Sequence, residues 1–182
     1  MNQLYKKIFP LEENKDKQIF DNCILLSWTE PKHFIKGKTN YVYDTFLPDV
    51  IKYIKKIEIE KSPRKKILNL TQVFKSISYL EIFNGGEGAQ GVDDTILILN
   101  YAIVKSRPKH IYSNTQYMEL FIGEKEQKLE GNQLIQLLSI CKTILRINYS
   151  KLYNITEEEY NRKCEETKKL LDNNELEISF YK

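Results

Sequence analysis

The stretch "GVDDTILILNYAIVKSRPKHIYSNTQYMELF", residues 91–121, decides the fold. Two adjacent carboxylates, Asp93 and Asp94, close a glycine-rich loop and open a strongly apolar run. By apolarity alone, 93–106 suits a buried strand or a buried helix. Two features favour helix. Acids at its start and Lys105 at its end match the poles of a helix dipole, and its length of ~14 residues exceeds that of an ordinary strand. A helix apolar nearly all round must be buried nearly all round, so 93–106 is expected to be the central helix of the fold. "RPKH" reads as a turn, and "SNTQYMELF" (113–121) as a short helix capped by Ser113 or Asn114.

Further helices follow outward from this centre. "FLPDVIKYIKKIEI" (46–59) places Phe46, Val50, Ile51, Ile54 and Ile57 at helical spacing, with its lysines on the other face. In 61–83, Ser62 is the expected N-cap and Pro63 the first helical residue, where a missing N–H is harmless. "NGGEGAQGVDD" (84–94) holds four of the seven glycines and reads as a loop. "NQLIQLLSICKTILRI" (132–147) has Leu134, Leu137, Leu138, Cys141, Ile144 and Leu145 on one face. "ITEEEYNRKCEETKKLLDNN" (155–174) opens on a capping box, Thr156 with Glu159, and its thin apolar face suits the edge of a bundle. The run 22–28 ends in the only Trp, and Pro31 stops regular structure. The fold class is all-α: one layered helical domain of six to seven helices over residues 21–172. Residues 1–20 are expected to be a loosely held N-terminal extension and 173–182 a C-terminal tail.

Composition excludes several functions. The chain has 182 residues, 41% apolar and 29% charged, an ordinary globular mixture. Its formal charge of +3 is too balanced to imply nucleic acid. The three cysteines are widely spaced, with no zinc-ligand pattern, and a reducing compartment fits them. The first residues lack the apolar core of a signal peptide. No run approaches the ~20 apolar residues needed to cross a bilayer. A cytoplasmic protein that reaches membranes only through partners is expected.

The candidate chemistry is sparse. The glycine loop lacks the Lys and Ser/Thr of a phosphate-binding loop, and its two acids would repel phosphate. Two acids are too few for a metal. Two histidines, His33 and His110, without a Gly-x-Ser-x-Gly or Cys–His arrangement give little support to hydrolysis. "KYIKK" and "KSPRKK" are basic helix faces, solvated by default, with an acidic partner or anionic lipid as the alternative. The paired acids suit plain helix capping, or an acid held at a rigid helix end and projected into another molecule. These features favour a protein that acts on another protein and needs no cofactor or metal.

Several motifs in order carry a family resemblance: "LLSWTEPKHF" (25–34), "KSPRKKILNL" (61–70), then "VDDTILILNYAIVKSRPKHIYSNTQYMELF", and "ITEEEY" near the end. From about 20 to 165 the chain resembles the vacuolar protein sorting nine domain of Rab-five-type exchange factors. The family centre reads roughly Gly-Ala-Asp-Asp-Phe-Leu-Pro-Val-Leu-Ile-Tyr-Val-x-x-Lys-Ala-x-Pro-Pro-x-Leu-x-Ser-Asn-x-x-Tyr-Ile, and positions 91–118 follow it without a gap.

The resemblance implies guanine-nucleotide exchange on an endosomal Rab-five-type small GTPase, in endocytic vesicle traffic. Asp93 would be the catalytic acid, inserted into the nucleotide site, where it disturbs magnesium coordination and engages the phosphate-loop lysine. Leu97, where the family has Pro, and Asn100 would contact the GTPase from the same helix. A family Tyr and Thr fall at Gln127 and Glu130 without a gap, or at Leu129 and Asn132 with a two-residue insertion, which fits the downstream apolar spacing better. On that alignment Leu129 and Asn132 join the partner-binding set. No Tyr stands between Tyr117 and Tyr149. Three readings stay open: an active exchange factor, a Rab-binding scaffold without exchange activity, and a helical adaptor in which Asp93 only caps. A monomer recruited to early endosomes or transport vesicles is expected.

Overall fold

The computed structural model describes residues 9–35, 41–83, 92–123 and 129–173. Seven α-helices lie in these segments: α1 (Glu13–Leu25), α2 (Tyr41–Ile59), α3 (Pro63–Phe83), α4 (Val92–Ser106), α5 (Ile111–Glu119), α6 (Leu129–Leu145) and α7 (Glu157–Asp172). Short 3-10 turns at Pro31–His33 and Tyr149–Lys151 complete them. There is no strand among the described residues, so the all-helical expectation holds. The loop expected at 84–91 lies outside the described residues.

Helix α4 is the centre, and its ambiguity is resolved as helix. Seven consecutive residues, Ile98 to Val104, are buried, and Asn100 is the only polar one. Seven residues cover two full turns, so this part of the helix is enclosed on every side. Leu99, Ala102, Ile103 and Val104 are wholly inaccessible. Around α4 pack α2 through Val50, Ile54 and Ile57, and α3 through Leu70, Val73 and Ile77. Helix α6 adds Leu134, Leu137, Ile140 and Ile144 to the same core. Lys105 at the end of α4 donates to the Ser27 carbonyl at 2.8 Å, and Arg107 then takes a left-handed φ of 48° and ends the helix ahead of Pro108.

Local signals set several boundaries as expected. Pro63 opens α3, and the Ser62 hydroxyl accepts from Lys65 N at 3.4 Å. Thr156 caps α7 by accepting from Glu159 N at 3.2 Å. Cys23, Cys141 and Cys164 are free and buried. Burial pushes the Cys141 thiol up to about 12 and holds Cys23 protonated as well, so both behave as small apolar core groups.

Two expectations require correction. Residues 13–20 are not loosely held: they form the first turns of α1, with Asp16 and Ile19 buried. Ser113 and Asn114 do not cap α5. They stand in its first turn, wholly buried, with His110 as the capping position and no cap from its side chain. The cap comes from other helices. The Asp16 carboxylate of α1 accepts from Tyr112 N and Ser113 N at 2.9 and 3.1 Å, and from the Ser113 hydroxyl. The Glu58 carboxylate of α2 accepts from Lys109 N and His110 N at 2.9 and 3.0 Å, and from Asn114 Nδ2 at 2.8 Å. Two acids distant in sequence thus take the N–H groups of the cap residue His110 and of Tyr112 and Ser113 in the first turn.

Candidate functional site

Asp93 stands in the first turn of α4, one turn ahead of the enclosed segment that begins at Ile98. Its side chain, and that of Asp94, lie outside the described residues. Leu97 is one turn further on and Asn100 nearly two, positions that share a helix face. The structure brings Leu97 and Asn100 together in a cavity of about 340 Å³. Phe34, Ile96, Leu97 and Ile147 give it apolar walls, and Thr143, Ser150, Lys151 and Tyr153 add polar groups. The cavity therefore lies between α4 and the C-terminal end of α6 with the turn that follows. That turn is held in place by Tyr153 N, which donates to the His33 carbonyl at 2.8 Å, and by Asn154 Nδ2, which donates to the Lys32 carbonyl at 2.9 Å. Phe34 in turn packs against Tyr101 of α4, the rings tilted and their centroids 5.7 Å apart.

Asn100 is the unusual group in the wall. It is 5% exposed, and its Nδ2 donates to the carbonyl of Ile96 one turn back at 2.9 Å. Its Oδ1 is buried and has no donor. An unpaired buried acceptor costs on the order of 1–3 kcal/mol. The fold carries this cost at a residue that lines the cavity.

Leu129 and Asn132 are not part of this cavity. They lie at the N-terminal end of α6, 14 and 11 positions before Thr143, or ~21 and ~17 Å along the helix axis. Both are exposed, Leu129 by 65%. That end is fixed to the start of α3 by Arg64, whose guanidinium donates to both oxygens of Glu130 at 3.1 and 2.9 Å. The alternative position Gln127 lies outside the described residues, and Glu130 is engaged by Arg64.

A second polar cluster went unseen in the sequence. Lys66 of α3 is wholly buried, and its Nζ donates to the Ile57 carbonyl at 2.6 Å and to Asn114 Oδ1. Burial lowers its pKa to about 8, against the opposing pull of Glu58 and Glu60. His110 is raised by its hydrogen bond to Glu58, with Nδ1 3.6 Å from the carboxylate. Asp16 is raised by burial, although its bonds from Ser113 and Tyr112 oppose this. Acid, serine, histidine and lysine so close together would suit catalysis. Here they satisfy one another and the start of α5: Lys66 donates to Asn114, Asn114 to Glu58, and Tyr112 and Ser113 to Asp16.

Among the described residues no group of acids, histidines and cysteines could hold a metal, and no helix is long and apolar enough to cross a membrane. Residues 47–157 match the family described as the Vacuolar sorting protein 9 (VPS9) domain. The chain is 25% identical over 176 residues to vacuolar protein sorting-associated protein 9A of Arabidopsis thaliana, covering 91% of this chain and 33% of that protein. It is 28% identical over 196 residues to vacuolar protein sorting-associated protein vps901 of Schizosaccharomyces pombe, covering 97% and 33%. The chain spans about a third of the length of these curated relatives.

Proposed function

The chain belongs to the VPS9 domain family, and from that membership we propose that it is a guanine nucleotide exchange factor for a Rab-five-type small GTPase of endocytic traffic. One observation carries the reading: Asp93 stands in the first turn of a helix that is enclosed on every side from Ile98 to Val104, and Leu97 and Asn100 of the same helix line a cavity. A buried stem fixes the direction of its tip, as an inserted catalytic group requires. Docked over the cavity, the GTPase presents its nucleotide site to that tip. The Asp93 carboxylate then repels the phosphates and competes for their cationic partners, so GDP leaves. The walls of the cavity receive apolar side chains of the GTPase, and Leu97 supplies contact there.

A second reading, a domain that binds the GTPase without exchanging its nucleotide, is favoured by one observation. No Tyr stands between Tyr117 and Tyr149, where the family has one. Release of fluorescent GDP from a Rab-five-type GTPase tests both, with wild type and Asp93→Ala in parallel. Acceleration by wild type, lost in the variant with helical content unchanged, is expected. Stable capture of the nucleotide-free GTPase without acceleration would replace exchange by binding alone. Neither capture nor acceleration would overturn both readings.

A further inference from the structure

The basic motifs "KYIKK" and "KSPRKK" have no part in the exchange reading, and the structure brings Lys56 of the first and Lys65 of the second to one face, while Lys66 turns inward. On α2, Lys52, Lys55, Lys56 and Ile59 follow the i, i+3, i+4, i+7 spacing of a single stripe, and all four are exposed. At the α2–α3 junction this stripe meets Lys61, Lys65 and Leu68, also exposed. Lys56, Ile59, Glu60, Lys65 and Leu68 line a shallow depression of about 390 Å³ there. Ile59 is 67% and Leu68 46% exposed, so two aliphatic side chains stand in water beside Lys56 and Lys65.

Among the described residues the nearby acids are already engaged. Glu60 accepts from Lys61 N and Ser62 N at 2.9 and 3.1 Å, and lies 3.9 Å from Lys65. Asp49 lies 3.6 Å from Lys52. Glu58 is turned inward to the start of α5.

We propose that this lysine-and-aliphatic face of α2 and α3 binds directly to an anionic membrane surface. Two considerations favour a membrane over an acidic protein. The one arginine at the junction, Arg64, is committed to Glu130, so the face offers only lysines. Lysine is a mobile point charge suited to a diffuse field of lipid phosphates, whereas protein interfaces favour arginine and are depleted in lysine. Exposed Ile59 and Leu68 beside the charges match the apolar side of an interfacial surface, which enters the headgroup boundary. The face shares no lining residue with the cavity beside Leu97, so the two surfaces can be occupied together. The proposal departs from the expectation that membranes are reached only through partners.

Co-sedimentation of the full chain with phosphatidylcholine vesicles, with and without phosphatidylserine, tests it. Binding is expected only with phosphatidylserine, and is expected to fade as salt rises. The triple variant Lys55→Glu, Lys56→Glu, Lys65→Glu should bind on the order of 100-fold less. Ile59→Ser should weaken binding about tenfold with no change of charge. A charge-matched control on α7, Lys163→Glu, Lys168→Glu, Lys169→Glu, should keep binding near wild type. Absence of wild-type binding to anionic vesicles overturns the proposal and assigns the face to solvent or an acidic protein. Equal loss in the α7 control overturns it too, since net charge alone would then suffice. Unchanged helicity in the variants excludes misfolding as the cause.

Discussion

Replacing Asp16 by Ala should unfold this domain far more easily than a lost acid ordinarily does. The Asp16 carboxylate accepts two backbone N–H groups of α5 and the Ser113 hydroxyl, all buried. Truncation leaves three donors unsatisfied. Each orphan costs on the order of 1–3 kcal/mol, and lost capping alone costs ~1 kcal/mol. Partial access of water to the vacated space reduces the sum, and we expect ~4 kcal/mol. For a chain of this size that lowers the melting temperature by ~8–16 °C. Asp16→Asn separates geometry from charge. It keeps an acceptor for the two N–H groups and removes a carboxylate whose burial is unfavourable, as its raised pKa shows. It should cost no more than ~1 kcal/mol. Because the folded pKa lies above the unfolded value, ionising Asp16 works against folding. The Asp16→Asn penalty should therefore shrink as pH rises from about 4 towards neutrality. Urea denaturation followed by far-UV circular dichroism measures all three proteins. If Asp16→Ala stays within ~1 kcal/mol of wild type, or Asp16→Asn matches it, the capping argument fails.

Further outcomes follow from other buried groups. Lys66 titrates near 8 when folded against 10.5 when unfolded, so its charge opposes folding below 8 and the penalty is relieved between about 8 and 10.5. The stability of wild type relative to Lys66→Met should rise across that window by about 3 kcal/mol, as read from urea melts at each pH, and a flat difference would refute the buried-amine assignment. His110 is raised by Glu58, so its contribution is present below pH 6.5 and lost as pH rises through its folded value; His110→Ala should destabilise more at pH 5.5 than at pH 8 in thermal melts. Asn100→Leu should stabilise by about 1 kcal/mol, because an unpaired buried oxygen is replaced by a methyl group of similar size; destabilisation would show that the amide has an unseen partner. Ile103→Ala, at the most enclosed part of α4, should cost ~2–5 kcal/mol and reduce nucleotide exchange only through loss of folded protein, as exchange normalised to folded fraction would show.

The helices that build this domain were legible because their causes are local. Ser62 and Pro63 announce α3, and Thr156 with Glu159 announces α7, within three or four residues of each helix start. The unbroken apolarity of α4 announced its burial, and the order of motifs around Asp93 announced the family. Three features needed the folded chain. Helix α1 was missed before residue 20, because its polar sequence has little apolar periodicity and its Asp16 is buried only by what α5 supplies. The cap of α5 was misassigned to Ser113 and Asn114, good capping residues by type, because its real acceptors, Asp16 and Glu58, lie 97 and about 52 residues away in the chain. The cavity beside Leu97 and Asn100 is bounded by residues from three distant segments, so no window of sequence could outline it. Local propensity and patterning fix which segments become helices, since they act between neighbours in the chain. Which polar groups pair, which charge is buried and where a surface stays hollow depend on neighbours in space, and only the tertiary packing chooses those.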